Sequence, residues 1–236
     1  SEESAGGVLV DGVSSKGQEN RRKILQSSNA NHPVVIKSAD LMAMNKEDCR
    51  GFVKESDVVY IYHNHIDATG DKRDSEDRVF EATEETLQEI IKIIKKLTSA
   101  NATNLIVTTD HGFIYQDGLL DESDFLSEVA NGDAIFKKDR RFVIGKNLTD
   151  NSSFKKYNAH ELGLEGEVEV QIPKSINRLR LQGSGYRYVH GGASLQEVVL
   201  PVLEINKKRK SDISTVDVDI LRSASSVITS GQLAVI

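Results

Sequence analysis

Apolar and polar positions along this chain mark out strands and helices in turn. Val58-Val59-Tyr60-Ile61-Tyr62 is a short β-branched and aromatic run, the pattern of a strand buried on both faces. It gives way abruptly to the polar stretch His63-Asn64-His65-Ile66-Asp67-Ala68-Thr69-Gly70-Asp71. A long helix is predicted next, because Val79, Leu87, Ile90, Ile91, Ile94 and Leu97 fall largely on one face while Glu84, Glu85, Lys92, Lys95 and Lys96 take the other. Its early glutamates and late lysines also suit the helix dipole. The run Asn104-Leu105-Ile106-Val107 then reads as a second strand, so strand, helix and strand predict a right-handed parallel crossover. Such a unit brings the polar ends of both strands to one edge of a sheet.

Upstream, Val34-Val35-Ile36 followed by Ser38-Ala39-Asp40-Leu41 predicts another strand-to-helix passage, with Ser38 or Asp40 as the cap, and extends the parallel sheet. Downstream the pattern changes. Arg140 to Gly145 reads as a strand, and Glu167 to Ile172 alternates with the period of two that marks a half-exposed antiparallel strand. Gly183, Gly185, Gly191 and Gly192 punctuate a loop around Tyr186-Arg187-Tyr188-Val189-His190. Ser194-Leu195-Gln196-Glu197 then opens a short helix through a capping box, and Pro201 leaves Leu203 to Ile205 extended. The run Lys207-Lys208-Arg209-Lys210 reads as a solvated turn, with a phosphate-binding patch as the alternative. The expected class is α/β, with a mainly parallel central sheet followed by a C-terminal antiparallel β-rich segment.

Composition narrows the setting. A chain of 236 residues can bury one sizeable core, with or without a small appended subdomain. Hydrophobic residues at 38% beside 28% charged ones describe a globular domain and exclude a disordered one. A net charge of −6 argues against a dedicated nucleic-acid or membrane coat, while leaving room for a local basic groove. The single cysteine, Cys49, can form neither an internal disulfide nor a sulfur-held zinc site, which favours a reducing, cytoplasmic location. The N-terminal residues carry no secretory signal, and no apolar run approaches the roughly 20 residues of a membrane span.

The chemistry concentrates at the predicted strand ends. Thr108-Thr109-Asp110-His111-Gly112 offers a carboxylate and an imidazole where a strand meets a turn. Asp67 and Asp71, four apart, share one side of a helical turn, and His190 lies in a loop whose glycines let backbone approach closely. Hard oxygen and imidazole nitrogen converging from separate elements is how a divalent metal is held beside a phosphate ester. Each residue has a plainer alternative. Asp67 would serve as a helix cap, Asp71 as a surface partner of Lys72 or Arg73, Asp110 as the pivot of an Asx-turn, and His190 as a satisfied loop histidine. His63 is a candidate for substrate contact or for support of a metal ligand, His65 is read as structural, and His32 and His160 as solvent-facing.

Three ordered motifs carry a resemblance: Tyr62-His63-Asn64-x-Ile66-Asp67-Ala68-x-Gly70-Asp71, then Thr109-Asp110-His111-Gly112-Phe113, then His190-Gly191-Gly192-Ala193-Ser194-Leu195-Gln196-Glu197. Flanking stretches agree, among them Val8 to Gly12 and Lys37 to Met44. The chain resembles the PglZ family of the alkaline phosphatase superfamily, found in bacterial BREX phage-defence systems, over most of residues 6–206. The resemblance implies a three-layer fold and a bimetallic phosphoester site. It assigns Asp67, Asp71 and His190 to one ion, with Asp71 in place of the usual histidine, and Asp110 and His111 to the other. Zinc is the metal implied, and the extra carboxylate widens the choice to manganese or magnesium.

In the family an upstream aspartate and a hydroxyl nucleophile precede the segment resembling Val8 to Gly12. This chain is therefore expected to be a fragment: residues 1–206 a domain lacking its nucleophile-bearing segment, 207–236 the start of a truncated β-rich region. Asp11 would then sit on a surface hairpin rather than act as a ligand, and Ser14 or Ser15 would not be the nucleophile. The function implied is that of a metal-dependent phosphoester hydrolase acting with other BREX defence proteins, with the fragment inactive alone. A nuclease is the alternative if Lys137, Lys138, Arg140, Arg141, Arg178, Arg180 and Arg187 converge into a basic track. A non-catalytic metal-binding platform is the other.

Overall fold

A computed structural model describes residues 8–28, 33–183 and 185–208. The first elements are β1 (Leu9–Val10) and β2 (Val13–Ser14), paired antiparallel. Asp11 and Gly12 turn between them at φ 48° and 78°, the left-handed pair that a two-residue hairpin requires. Asp11 is thus on an exposed turn.

After α1 (Gln18–Ser28) come β3 (Pro33–Lys37), α2 (Ser38–Ala43), α3 (Lys46–Glu55) and β4 (Val58–Tyr62). Neither Ser38 nor Asp40 caps α2: Lys37 holds the cap position, without a side-chain bond. The capping expected there occurs at α3, where Asn45 Oδ1 accepts the Asp48 N–H at 2.9 Å. Next are α4 (His65–Gly70), α5 (Val79–Ser99) and β5 (Asn104–Thr108). The inward face of α5 carries Val79, Ala82, Thr86, Ile93 and Leu97, whereas Leu87 and Ile91, expected on that face, lie exposed on the other. One core joins Leu41, Cys49, Ile93, Leu97 and Ala100, with Ile36, Ile61 and Leu105 packed against it.

Among the described residues the parallel strand ladder is that of β3 and β4, in register from Pro33↔Val58 to Lys37↔Tyr62, beside one isolated parallel bridge between Phe125 and Arg178. The expected parallel crossover from β4 to β5 is not a hydrogen-bonded pair. Both strands lean on α5 through Ile61 and Leu105, but β5 pairs antiparallel with β12 (Val202–Asn206). Periodicity sets which face of a strand is apolar; it does not select the neighbour. Nor is β4 buried on both faces, since Tyr60 and Tyr62 are exposed, and Ile106 on β5 is 69% exposed. The described residues place no layer over these faces.

The second half holds β6 (Ile114–Tyr115), β7 (Ala134–Lys138), β8 (Val143–Lys146), β9 (Phe154–Asn158), β10 (Glu169–Pro173), β11 (Tyr188–Val189) and α6 (Leu195–Val198), before β12. An antiparallel sheet runs β7-β8-β10-β9 over a second core of Ala130, Val143, Leu148, Phe154 and Leu179. The strand expected from Arg140 begins only at Val143. Arg140 and Arg141 occupy the bend between β7 and β8, yet both side chains turn inward and are buried. His32, and residues 209–236 of the expected C-terminal region, lie outside the described residues.

Candidate metal centre

Three elements bring three donors to one point. Asp67 lies in the first turn of α4, His111 in the turn that follows β5, and His190 directly after β11. The short β6–β11 ladder, Tyr188↔Tyr115 and Val189↔Ile114, draws the two histidine-bearing segments together. One ligand atom each from Asp67, His111 and His190 then lies within 4.8 Å of the others, all three residues being half-buried. His111 Nε2 stands 3.5 Å from Asp67 Oδ2, and the His111 and His190 rings stack at 4.1 Å between centroids, 6° from parallel. His111 Nδ1 is 3.1 Å from the Gly112 carbonyl, a bond that needs the proton on Nδ1 and leaves the Nε2 lone pair facing Asp67.

The donor set fits a divalent metal. Zinc takes imidazole nitrogen and carboxylate oxygen at about 2.0–2.1 Å in a tetrahedron, which sets neighbouring donors about 3.3 Å apart. The 3.5 Å between Asp67 Oδ2 and His111 Nε2 is close to that edge, whereas the stacked His111 and His190 rings direct their lone pairs in parallel planes, so one ring turns for both to meet a single ion. The resemblance assigned Asp67 and His190 to one ion and His111 to another; the fold places all three in a single cluster.

Asp71, the residue after α4, is outside this group. Its Oδ1 accepts from Arg140 at 3.0 Å and lies 3.3 Å from His190 Nε2. The hydrogen bond from His190, reinforced by Arg140, holds the Asp71 carboxyl below its usual range against the opposing effect of burial. Burial of the His190 ring disfavours its charge, but the bond to Asp71 and the charges of Asp71 and Asp67 outweigh that and raise its pKa. Asp110 points to solvent, its Oδ1 3.9 Å from His111 Nε2. His63 and His65 turn toward α5, His63 Nε2 meeting Glu89 at 2.5 Å and His65 Nε2 meeting Glu85 at 3.6 Å. The two hydroxyls preceding Asp110 are committed to backbone, Thr108 to Pro201 O and Thr109 to His111 O, both at 3.0 Å.

Sequence reading missed the residues that hold these candidate side chains. Tyr188 donates its phenol to Asp67 Oδ1, and burial, followed by that bond and the nearby aspartate charges, pushes its pKa up, so it remains a donor. Tyr188 and His190 are two apart on an extended segment, the one local signal that they share a side. Arg141 makes a fully buried pair with Glu197, both contacts at 2.9 Å, and also donates to Ser175 O and Asn177 O. Glu197 accepts from Gly192 N and Ser194 N as well, and its carbonyl accepts the Gly112 N–H at 2.9 Å. One buried ion pair therefore braces both histidine loops. Gly112 has to be glycine, because a Cβ there would lie 2.0 Å from the Gln196 carbonyl oxygen. The proposed basic track loses Arg140, Arg141 and Arg178, which are at most 6% exposed and turned to internal partners.

A family model described as the BREX system PglZ alkaline phosphatase-like domain matches residues 1–205. The alkaline phosphatase-like protein BrxZ of Escherichia coli O9:H4 (strain HS) is 37% identical over 206 residues, which is 86% of this chain and 23% of that protein. The alkaline phosphatase-like protein PglZ of Bacillus cereus (strain H3081.97) is 36% identical over 217 residues, 89% of this chain and 25% of that protein. The chain thus spans about a quarter of the length of these curated relatives. No solved structure matches it significantly.

Proposed function

The chain belongs to the PglZ family of BREX alkaline phosphatase-like domains, and from that membership we propose that it carries the metal-holding part of a phosphoester hydrolase. The supporting observation is the convergence of Asp67, His111 and His190 within 4.8 Å from three separate elements. A bound divalent ion, zinc before manganese or magnesium, supplies Lewis-acid charge to a phosphoryl oxygen there. Asp71 and Asp110 border the same cluster, Asp71 against His190 and Asp110 against His111, and complete the ligand set in this reading.

In this reading the attacking hydroxyl lies in a longer parent protein, as the family resemblance implies; Thr108 and Thr109 donate instead to backbone carbonyls, and Ser14 lies in the β1–β2 hairpin. The same remainder supplies the strands and helices of a three-layer fold, over faces such as that of Ile106. A BREX assembly in the cytoplasm is the proposed setting, and among the described residues no helix is long and apolar enough to cross a membrane. A nuclease is the weaker form of the reading, since three of the arginines it needs are buried.

The test pairs metal content, by native mass spectrometry, with p-nitrophenyl phosphate hydrolysis by this chain and by the full-length parent. The chain is expected to hold metal without turnover, and the parent to hydrolyse the ester in a manner abolished by His111→Ala. A parent that binds metal yet cleaves neither mono- nor diesters would be a non-catalytic platform, and the hydrolase reading would fall.

A further inference from the structure

The Tyr188 ring is fully buried and confined on several sides. Gly70 forms its floor, where a Cβ would lie 2.4 Å from Tyr188 Cγ and 2.5 Å from Cδ1. Phe113, two residues beyond His111, packs beside it with centroids 4.8 Å apart. Its backbone is pinned by the ladder to Tyr115, and its carbonyl accepts from Arg140 Nη1 at 3.2 Å. The other Arg140 nitrogen, Nη2, holds Asp71 Oδ1 at 3.0 Å, so one buried guanidinium ties the tyrosine strand to the end of α4. A ring so enclosed has one place for its hydroxyl, which donates to Asp67 Oδ1, three residues before Gly70 in the same helix.

Asp67 Oδ2 is then the oxygen left facing His111 Nε2, at 3.5 Å. A carboxylate torsion is otherwise broad and nearly two-fold, so an unrestrained aspartate would present either oxygen or both. We infer that Tyr188 is a positioning residue of the metal centre, occupying Asp67 Oδ1 so that Oδ2 alone is presented to an ion shared with His111 and His190. This inference rests on the metal site proposed above. It gives Gly70 a defined task, since only a residue without Cβ lets the ring lie on the turn that carries Asp67. It also separates the roles of the two aspartates on that turn: Asp67 is oriented by a phenol, Asp71 by a guanidinium.

The test is the zinc affinity of the chain, by competition with a chromophoric chelator, together with the visible spectrum of the cobalt-substituted form. Wild type, Tyr188→Phe, Asp67→Ala and the double variant are compared, with Gly70→Ala as a second way of displacing the ring. Tyr188→Phe keeps the ring and is expected to keep the fold by near-ultraviolet circular dichroism, while zinc affinity falls about 10–100-fold, the usual effect of losing a group that orients a ligand. The cobalt spectrum is expected to shift, and Tyr188→Phe to have no further effect once Asp67 is alanine. Unchanged affinity in Tyr188→Phe, or an equal loss in the Asp67→Ala background, overturns the positioning role while the metal site stands. Wild-type binding that is absent or indifferent to Asp67→Ala overturns the metal site itself.

Discussion

Glycine 112 shows how closely this centre is packed at the level of single residues. The added Cβ would meet a backbone carbonyl at 2.0 Å, and a carbonyl retreats only by moving α6 with it. Gly112→Ala is expected to destabilise the chain by about 1–3 kcal/mol, as overpacking does. Gly51, within α3 and with open space around its Cβ position, predicts the opposite: Gly51→Ala stabilises by about 0.4–1 kcal/mol. Urea unfolding of the two variants against wild type checks both signs. Glu197 adds a pH dependence. Burial alone would raise its carboxyl, but Arg141, Ser194 and Gly192 more than reverse that and hold its pKa below the ordinary range. Its contribution to stability is therefore complete above the unfolded value, about 4.3, and is lost as pH falls through the depressed folded value. Glu197→Gln is expected to be less stable at neutral pH and to lose less stability between about pH 5 and pH 2, as followed by denaturant unfolding across that range.

At the scale of elements, much of the site was legible and its supports were not. The Val58–Tyr62 and Asn104–Thr108 strands, the helix between them and the Ser194–Glu197 capping box all follow from local pattern. Asp67, His111 and His190 stood out because each sits where an apolar run ends or glycines cluster. What failed depended on partners distant in sequence. The mate of β5 is β12, about a hundred residues on, and nothing within Asn104–Thr108 encodes it. The face of α5 was misassigned because Leu87 and Ile91 are apolar yet lie on the side away from the core. Arg140 and Arg141 were candidates for a basic track beside the site, and only the fold turns them in toward Asp71 and Glu197. That ion pair carries an expectation of its own, because removing one partner of a buried pair leaves the other charge stranded. Arg141→Ala is expected to cost about 3–5 kcal/mol, measured by urea unfolding, and to weaken metal binding by releasing both histidine loops.

Taken whole, the molecule joins a helix-backed half that supplies Asp67, Asp71 and His111 to an antiparallel half whose β7–β8 bend supplies the arginines that steady them. The β6–β11 ladder is the hinge of that union, and His190 follows directly from it. Family membership gives the ensemble a place among BREX alkaline phosphatase-like domains, and the Asp67, His111 and His190 cluster carries the proposed metal chemistry. The chain spans about a quarter of the length of these relatives, and the three side chains proposed to hold a metal all lie within it. The most direct measurement is therefore calorimetric titration of the chain with zinc, in the wild type and with Asp67, His111 and His190 replaced by alanine singly and together. Saturable binding that weakens by about 100-fold or more with any single replacement, and vanishes with all three, is the expected result. Binding unchanged by the triple replacement would contradict the account.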